Sequence, residues 1–299
     1  MKIIFITREG YNLSGARVRC YGFARELRKY GVNTEVFSFA DNLGAKYGEK
    51  EFEMPILEKL KYNIEAFKAL LRKERDAVFY MQRLNYHTLA PFLVSLLRKN
   101  RFIFDCDDWN IRENPIYYFG FYPSSKMEYF TRKIARYSDI CIVASKFLKK
   151  YLGEFTSKAY YIPTGVDTDL FKPHNNNTHS SKITFSWIGT AYHREMGDNL
   201  KFVLDVFSLL AEKYSNIFLD IAGEGKYFDE MKNNVNNLRH RDRIRINGWI
   251  PPNMIPGYLS NIDIGLLPLI QNSKFNKSKS GCRIAQAKAG RSGIDFVKL

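Results

Sequence analysis

The sequence predicts an α/β chain of two domains, each built on a doubly wound parallel sheet, and three observations predict it. Short, near-continuous apolar runs alternate with amphipathic stretches through both halves. The 299-residue length exceeds a usual single core and suits two domains of about 150 residues each. A dense group of turn residues, YYIPTGVDTDLFKP at 160–173, interrupts the alternation near the midpoint.

In the first half KIIFIT (2–7), DAVFYM (76–81), RFIFDCD (101–107) and DICIVAS (139–145) are strand-like runs of the kind buried on both sides of a parallel sheet. Between them ARVRCYGFARELRKYG (16–31), EKLKYNIEAFKALLRK (58–73) and TLAPFLVSLLRKN (88–100) carry apolar residues at helical spacing. At 160–173 a strand ends at Pro163, Thr164-Gly165 supplies a tight turn, and Asp167 and Asp169 precede Phe171 and Pro173. The polar stretch HNNNTHSSK (174–182) then suits a flexible link. The second half repeats the pattern with strands in KITFSWIG, NIFLDIAG, RIRINGW and DIGLLPL and helices over 195–214 and 253–261. The predicted division is a Rossmann-like domain over 1–163, a linker over 164–181 and a second Rossmann-like domain over 182–299, with a cleft beside the crossing.

Composition is that of a water-exposed globular chain, 45% hydrophobic and 26% charged, and no apolar run approaches the roughly 20 residues that span a bilayer. The N-terminus reads as a first strand, so a cytoplasmic location is expected and the Asn12 and Asn276 sequons carry no glycosylation meaning. Cys20, Cys106, Cys141 and Cys282 are scattered without a C-x-x-C pair, which points to reduced, mostly buried thiols rather than disulfides or zinc. Lysine and arginine total 46 against 31 acids, a formal charge of +15, so an anionic partner is expected. RHRDRIR (239–245) lacks interleaved aromatics and matches no nucleic-acid module, so a solvated face is favoured there, while a phosphorylated substrate or an anionic membrane face answers the overall charge.

In open α/β sheets ligands bind beyond the carboxyl ends of strands, where helix N-termini favour anions. Three loops fit: REGYNLSGARVR (8–19), with Gly10, Ser14 and Gly15 followed by Arg17 and Arg19; WIGTAYHREMGDN (187–199); and AGEGKY (222–227). None is a G-x-G-x-x-G fingerprint, so a nicotinamide cofactor is not indicated, and their equivalent places in both halves favour a phosphate-bearing ligand between the domains. DCDDWN (105–110) sets Asp105, Asp107 and Asp108 at a strand end, either as a metal site or, as we favour, for capping and hydrogen bonding. The aromatic loop NPIYYFGFYP (114–123) is either packing or an acceptor wall, and His87 either enters the cleft or is structural.

These residues in this order resemble the retaining glycosyltransferases of the GT-B fold, family 4, also called glycosyl transferases group 1. Thr164-Gly165-Val166-Asp167 through Phe171 and Pro173 is similar to that family's interdomain signature, with threonine in place of the usual asparagine. WIG at 187–189, Gly223 and Gly225, RINGWIPPNMIPGYLSNIDIGLLPL at 245–269 and FNKSKS at 275–280 follow in the family's order. The resemblance implies transfer of a sugar from a nucleotide diphosphate donor to a hydroxyl of a glycan or lipid-linked glycan, with retention and without a cofactor or bound metal. By the resemblance Lys277 and Lys279 contact the diphosphate, Gly189 and Thr190 approach it by backbone with Gly223 nearby, and Trp249 and Ile250 lie against the base. Gly15 closes over the phosphates, and His87 and Asp105 are candidates on the acceptor side. Surface polysaccharide or glycolipid synthesis is the implied setting, in the cytosol or at the inner face of an anionic membrane, with no nucleic acid involved.

The pattern breaks after Ser280. Arg283 stands where the family has lysine, and Gln286 replaces the glutamate that grips the donor ribose, so weaker donor binding is expected. Residues 182–299 number 118, short of the nearly 150 such a domain uses, so the second domain is expected to be incomplete, by truncation or by closing its sheet with GIDFV. The alternative function is then an inactive remnant that at most binds nucleotide.

Overall fold

The computed structural model describes residues 1–51, 53–109, 124–172, 181–279 and 295–297. The aromatic loop 114–123, most of the 174–182 stretch, Cys282 and Gln286 lie outside the described residues. The chain forms two compact units that divide between Gly165 and Val166, inside the turn-rich stretch. Residues 273–279 belong to the first unit. That differs from the predicted division, which assigns them to the second, and the contacts of Ser278 and Lys279 with Asp108 and Trp109 given below are the reason.

The first unit is built on β1 (Lys2–Thr7), β2 (Asn33–Ser38), β3 (Val78–Gln82), β4 (Phe102–Cys106), β5 (Ile140–Val143) and β6 (Ala159–Tyr161). They pair in parallel in the order β2-β1-β3-β4-β5-β6. The first connection is α1 (Ser14–Ala16), a π-turn over Arg17–Gly22 and α2 (Phe23–Lys29). Then come α3 (Phe39–Leu43), α4 (Ile56–Leu71), α5 (Leu89–Arg98), α6 (Ser124–Tyr137) and α7 (Lys146–Gly153). The Ser38 and Ser145 side chains cap α3 and α7 by accepting from Asp41 N (3.0 Å) and Leu148 N (3.2 Å). Central strands bury apolar side chains on both faces: Ile4, Ile6, Phe79, Met81, Phe102 and Phe104 on one, and Phe5, Tyr80 and Ile142 on the other.

The second unit holds β7 (Ile183–Thr190), α8 (Arg194–Lys213), β8 (Ile217–Glu224), α9 (Lys226–Val235), β9 (Ile244–Asn247), α10 (Ile255–Leu259) and β10 (Ile264–Leu266). After α11 (Lys274–Ser278), which joins the first unit, β11 (Asp295–Val297) pairs with β10 in parallel. The sheet order β11-β10-β7-β8-β9 is that of the five-stranded Rossmann sheet, whose order reverses between β7 and β10. Phe171, the apolar residue of the interdomain stretch, is buried with Leu259 against Val166, Ile255 and Tyr258. Asp167 shapes the turn before it by accepting from Asp169 N (3.0 Å) and Leu170 N (3.2 Å) through its carboxylate. The stretch expected as linker therefore seats its own anchor on the second unit.

Cys20, Cys106 and Cys141 are buried and free. His87 is fully buried, its ring edge-on to Phe39 (5.7 Å between centroids) and its Nε2 3.0 Å from the Gln82 carbonyl oxygen. Of the two readings open from sequence, the structural one holds for this residue's surroundings. Burial, and then the charge of Arg8, lower its pKa to about 3. Because the folded value lies below the ordinary 6.5, His87 stabilises the fold fully above pH 6.5 and progressively less as pH falls toward 3. In urea unfolding, the stability difference between the parent and His87→Phe should be flat above pH 7 and then shift in the variant's favour by up to about 1.4 kcal/mol per pH unit toward pH 4. A pH-independent difference would show that the imidazole is not buried in its neutral form.

Candidate functional site

In the second unit the carboxyl ends of β7 and β8 lie side by side, Gly189 opposite Gly223 and Thr190 opposite Glu224. A side chain on Gly223 would overlap the Gly189 carbonyl oxygen. Gly225 has φ +123°, and a Cβ there would stand 2.7 Å from the Ala191 carbonyl oxygen. The two loops are joined as backbone, Ala191 N donating to Glu224 O (2.8 Å) and Tyr227 N to Ala191 O (3.1 Å), and the Tyr192 hydroxyl bonds the Glu224 carboxylate. The glycines thus serve the close approach of two strand ends. As a result α8 and α9 begin next to each other, neither with a side-chain cap, and the partial positive ends of both point to that edge.

Trp249 and Ile250 follow β9 at the same carboxyl edge, and Trp249 is exposed. The structure therefore brings Gly189, Thr190, Gly223, Trp249 and Ile250 to one edge of one sheet. Beneath that edge the sheet carries Asp220, which accepts from Tyr258 Oη (2.9 Å) and from Asn247. Burial pushes the Asp220 carboxyl above the usual carboxylate range. Ser186 and Tyr258 hydroxyls meet at 2.6 Å, so α10 is tied to the middle of the sheet.

In the first unit the sheet order reverses between β1 and β3, and an ion-pair network fills that switch point. Arg83, a non-glycine residue at φ +62°, directs Nε to Asp107 Oδ1 (2.6 Å), Nη2 to Asp107 Oδ2 (3.1 Å) and Nη1 to Glu9 Oε1 (3.2 Å). Gln82 Nε2 donates to Asp107 Oδ2 (3.0 Å) and to the Gly15 carbonyl (3.1 Å), and Gly15 packs against the Arg83 and Glu9 side chains. Asp105 is fully buried and receives both Nε and Nη2 of Arg19 at 2.7 Å together with the Tyr80 hydroxyl at 2.7 Å. Its oxygens are thus taken up inside the protein, and the acceptor-side role the resemblance gave it does not fit a group so enclosed. Arg19, expected to open an anion-binding helix, is likewise committed to Asp105.

The third carboxylate of this strand end is answered from α11. Lys279 Nζ lies 2.8 Å from Asp108 Oδ2, and Ser278 Oγ donates to Asp108 Oδ1 (2.8 Å) while accepting from Trp109 N (3.0 Å). Burial would raise Asp108, but the Lys279 ammonium, Arg83 and the Ser278 hydroxyl hold it well below the usual carboxylate range. Phe275 and Ser278 are buried and Lys274 lies over the Trp109 ring at 5.0 Å, whereas Lys277 is exposed. Lys277 and Lys279 therefore stand on the first unit, the latter already paired. Among the described residues no group of three or more His, Cys, Asp or Glu side chains could hold a metal ion. Sequence reasoning missed Arg83, Gln82, Tyr80 and Glu9 as the partners of the acidic strand end. Only the fold aligns β3 beside β4, and no local spacing announces that register.

Residues 182–273 match the family described as glycosyl transferases group 1. No curated protein matches the chain. The fold is similar to that of sucrose-phosphate synthase from Thermosynechococcus elongatus, with 14% identity and TM-score 0.64 over 89% of this chain and 75% of that one. It is similar to the UDP-forming α,α-trehalose-phosphate synthase of Burkholderia xenovorans in complex with glucose-6-phosphate, at 10% identity and TM-score 0.67 over 99% and 84% of the two chains. The E. coli structure described as trehalose-6-phosphate bound with UDP-2-fluoro glucose gives 10% identity and TM-score 0.63 over 99% and 84%. The chain has the GT-B architecture of two Rossmann-like domains, and its second unit matches a glycosyltransferase family.

Proposed function

We propose that this protein is a retaining glycosyltransferase of family 4 that moves a sugar from a nucleotide diphosphate sugar to a hydroxyl of a glycan or lipid-linked glycan, in surface polysaccharide or glycolipid synthesis at the inner face of a membrane. The observation that carries the reading is that the family match over 182–273 includes both loops of the β7–β8 edge, where two uncapped helix N-termini converge. Such an edge suits a diphosphate, because backbone N–H groups supply fixed positive charge without a bound metal. A solved relative in this fold binds UDP-2-fluoro glucose, which supports a nucleotide sugar as donor.

In this reading Gly189, Thr190 and Gly223 border the diphosphate, and Trp249 and Ile250 border the base. Lys277, exposed on α11, supplies a cation for the leaving group, while Lys279 is held by Asp108. As the bond from the anomeric carbon to the donor phosphate breaks, negative charge grows on the diphosphate, and donors fixed in advance lower the barrier without reorganising. His87 and Asp105 act from inside the first unit by holding the β1–β3 edge in place; the acceptor meets the side chains outside them.

Calorimetric titration of the chain with UDP, GDP and ADP tests the proposal. One nucleotide should saturate, and Lys277→Ala should weaken it by at least about tenfold. Saturation by none of the three would favour the remnant reading. Gly225→Ala forces a side chain into a φ +123° position against Ala191, costing about 1–3 kcal/mol of strain. Its nucleotide affinity should fall at least about tenfold while unfolding stays cooperative. Unchanged affinity in that variant would remove the β7–β8 edge from the site.

A further inference from the structure

The outer helices of the first unit invert the usual placement of polar and apolar residues. On α4 the inward stripe includes Lys59 and Asn63, both buried, while Leu57, Leu60 and Ile64 point to solvent at 79%, 37% and 57% exposure. The orientation is fixed, because Asn63 Nδ2 donates to the Tyr86 carbonyl (3.0 Å) and its Oδ1 accepts from Ala90 N (3.0 Å) at the start of α5. Arg98, at the other end of α5, donates to the carbonyls of Leu71 (2.8 Å) and Lys73 (2.9 Å). On α5 itself Leu93, Leu96 and Leu97, at spacings of three and four, are exposed, Leu97 at 68%.

These two faces form one surface. The crossovers β2 to β3, β3 to β4 and β4 to β5 all run in the same direction across the sheet, so right-handed connections place α4, α5 and α6 on one side of it. Ring contact between Phe92 and Tyr137 (4.9 Å) and the Ser95–Tyr137 hydroxyl pair (3.1 Å) bind α5 to α6. Isolated exposed leucines are ordinary, but five leucines and Ile64 on two adjoining helices make a patch. Cations border it: Lys61 and Lys68 on the α4 stripe, Lys99 and Arg101 after α5, and Lys133 and Arg136 on α6 are exposed. Glu65, paired with Lys61 at 4.0 Å, and Glu58 lie beside them.

We infer that the outer face of α4 and α5 docks on the anionic surface of a lipid bilayer, with the leucines among the headgroups and acyl boundary and the lysines on lipid phosphates. No helix among the described residues is long and apolar enough to cross a membrane, and apolar side chains beside basic ones are the pattern of a helix that lies in the interface. Charge selects this occupant over a second copy of the chain, since each copy carries a formal +15 and would bring a basic rim against a basic rim. The surface deepens the proposed reading, on which its use in reaching a lipid-linked acceptor rests, but the vesicle measurement that decides it needs no nucleotide.

The full chain is sedimented with vesicles of phosphatidylglycerol mixed with phosphatidylcholine, and with vesicles of phosphatidylcholine alone. It should pellet with the anionic vesicles, remain largely in solution with the neutral ones, and be released by molar salt. Leu57→Ser/Ile64→Ser/Leu97→Ser should weaken that binding by at least about tenfold, with thermal unfolding and nucleotide titration unchanged because all three side chains are exposed. Lys61→Glu/Lys68→Glu should weaken binding to the anionic vesicles without altering thermal unfolding. Failure of the parent to pellet overturns the inference, as does parental binding by both variants. A parent that self-associates in solution and is made monomeric by the serine variant, without vesicle binding, assigns the face to a second copy instead. Loss of nucleotide binding with vesicle binding intact would count against the transferase reading alone.

Discussion

The buried pair of Arg19 and Asp105 is the constraint around which the first unit is arranged. Its two 2.7 Å bonds join the helix after β1 to the end of β4, and Tyr80 adds β3 to the same carboxylate. Arg19 also donates to the Ile162 carbonyl (3.1 Å) and to Thr164 Oγ1 (3.4 Å), where the chain leaves β6. Taking both charges out of water is costly, so such a pair adds little net stability, but removing one partner strands the other at a cost of about 3–5 kcal/mol. What the pair supplies is position. The π-turn over Arg17–Gly22 makes it attainable, because its extra residue turns Arg19 and Cys20 inward together.

The same logic extends along the acidic strand end. Three carboxylates within four residues would repel one another, and each is answered by a cation from a different part of the chain: Asp105 by Arg19, Asp107 by Arg83 and Asp108 by Lys279. The cluster that suggested a metal in the sequence is thus neutralised by the protein itself. Its neighbours Glu9, Gln82 and Gly15 are held in the same network, so the first loop is fixed by polar bonds rather than by apolar packing.

The fold was largely legible in the sequence because parallel central strands are apolar on both faces. KIIFIT is β1 residue for residue, and the strands of the second half and the long helix α8 fall where their periodicity places them. β2 escaped for the converse reason: it lies at the sheet edge, and NTEVFS carries only Val36 and Phe37 as apolar side chains. α6 was hidden by its polarity, and the placement of α11 could not be read because Ser278 and Lys279 find Trp109 and Asp108 across 169 to 171 residues of sequence. In the site, the glycines and Trp249 were legible as residues of a strand-end edge, while the burial of His87 and Asp105 was not. A strand-end histidine or aspartate looks the same in sequence whether it faces a ligand or the core.

The placement of α11 bears on how the protein is made. The cap on Asp108 and Trp109 arrives from residues 274–279, after β7 through β10 have been translated. During synthesis the first unit emerges with its acidic strand end already formed but one of its three counter-cations still to come, so Asp108 must wait on the ribosome through more than half of the chain. The second unit, by contrast, can pair β7, β8 and β9 from local contacts as they appear. The first unit therefore cannot complete its own acidic strand end until β7 through β10 of the second have been made.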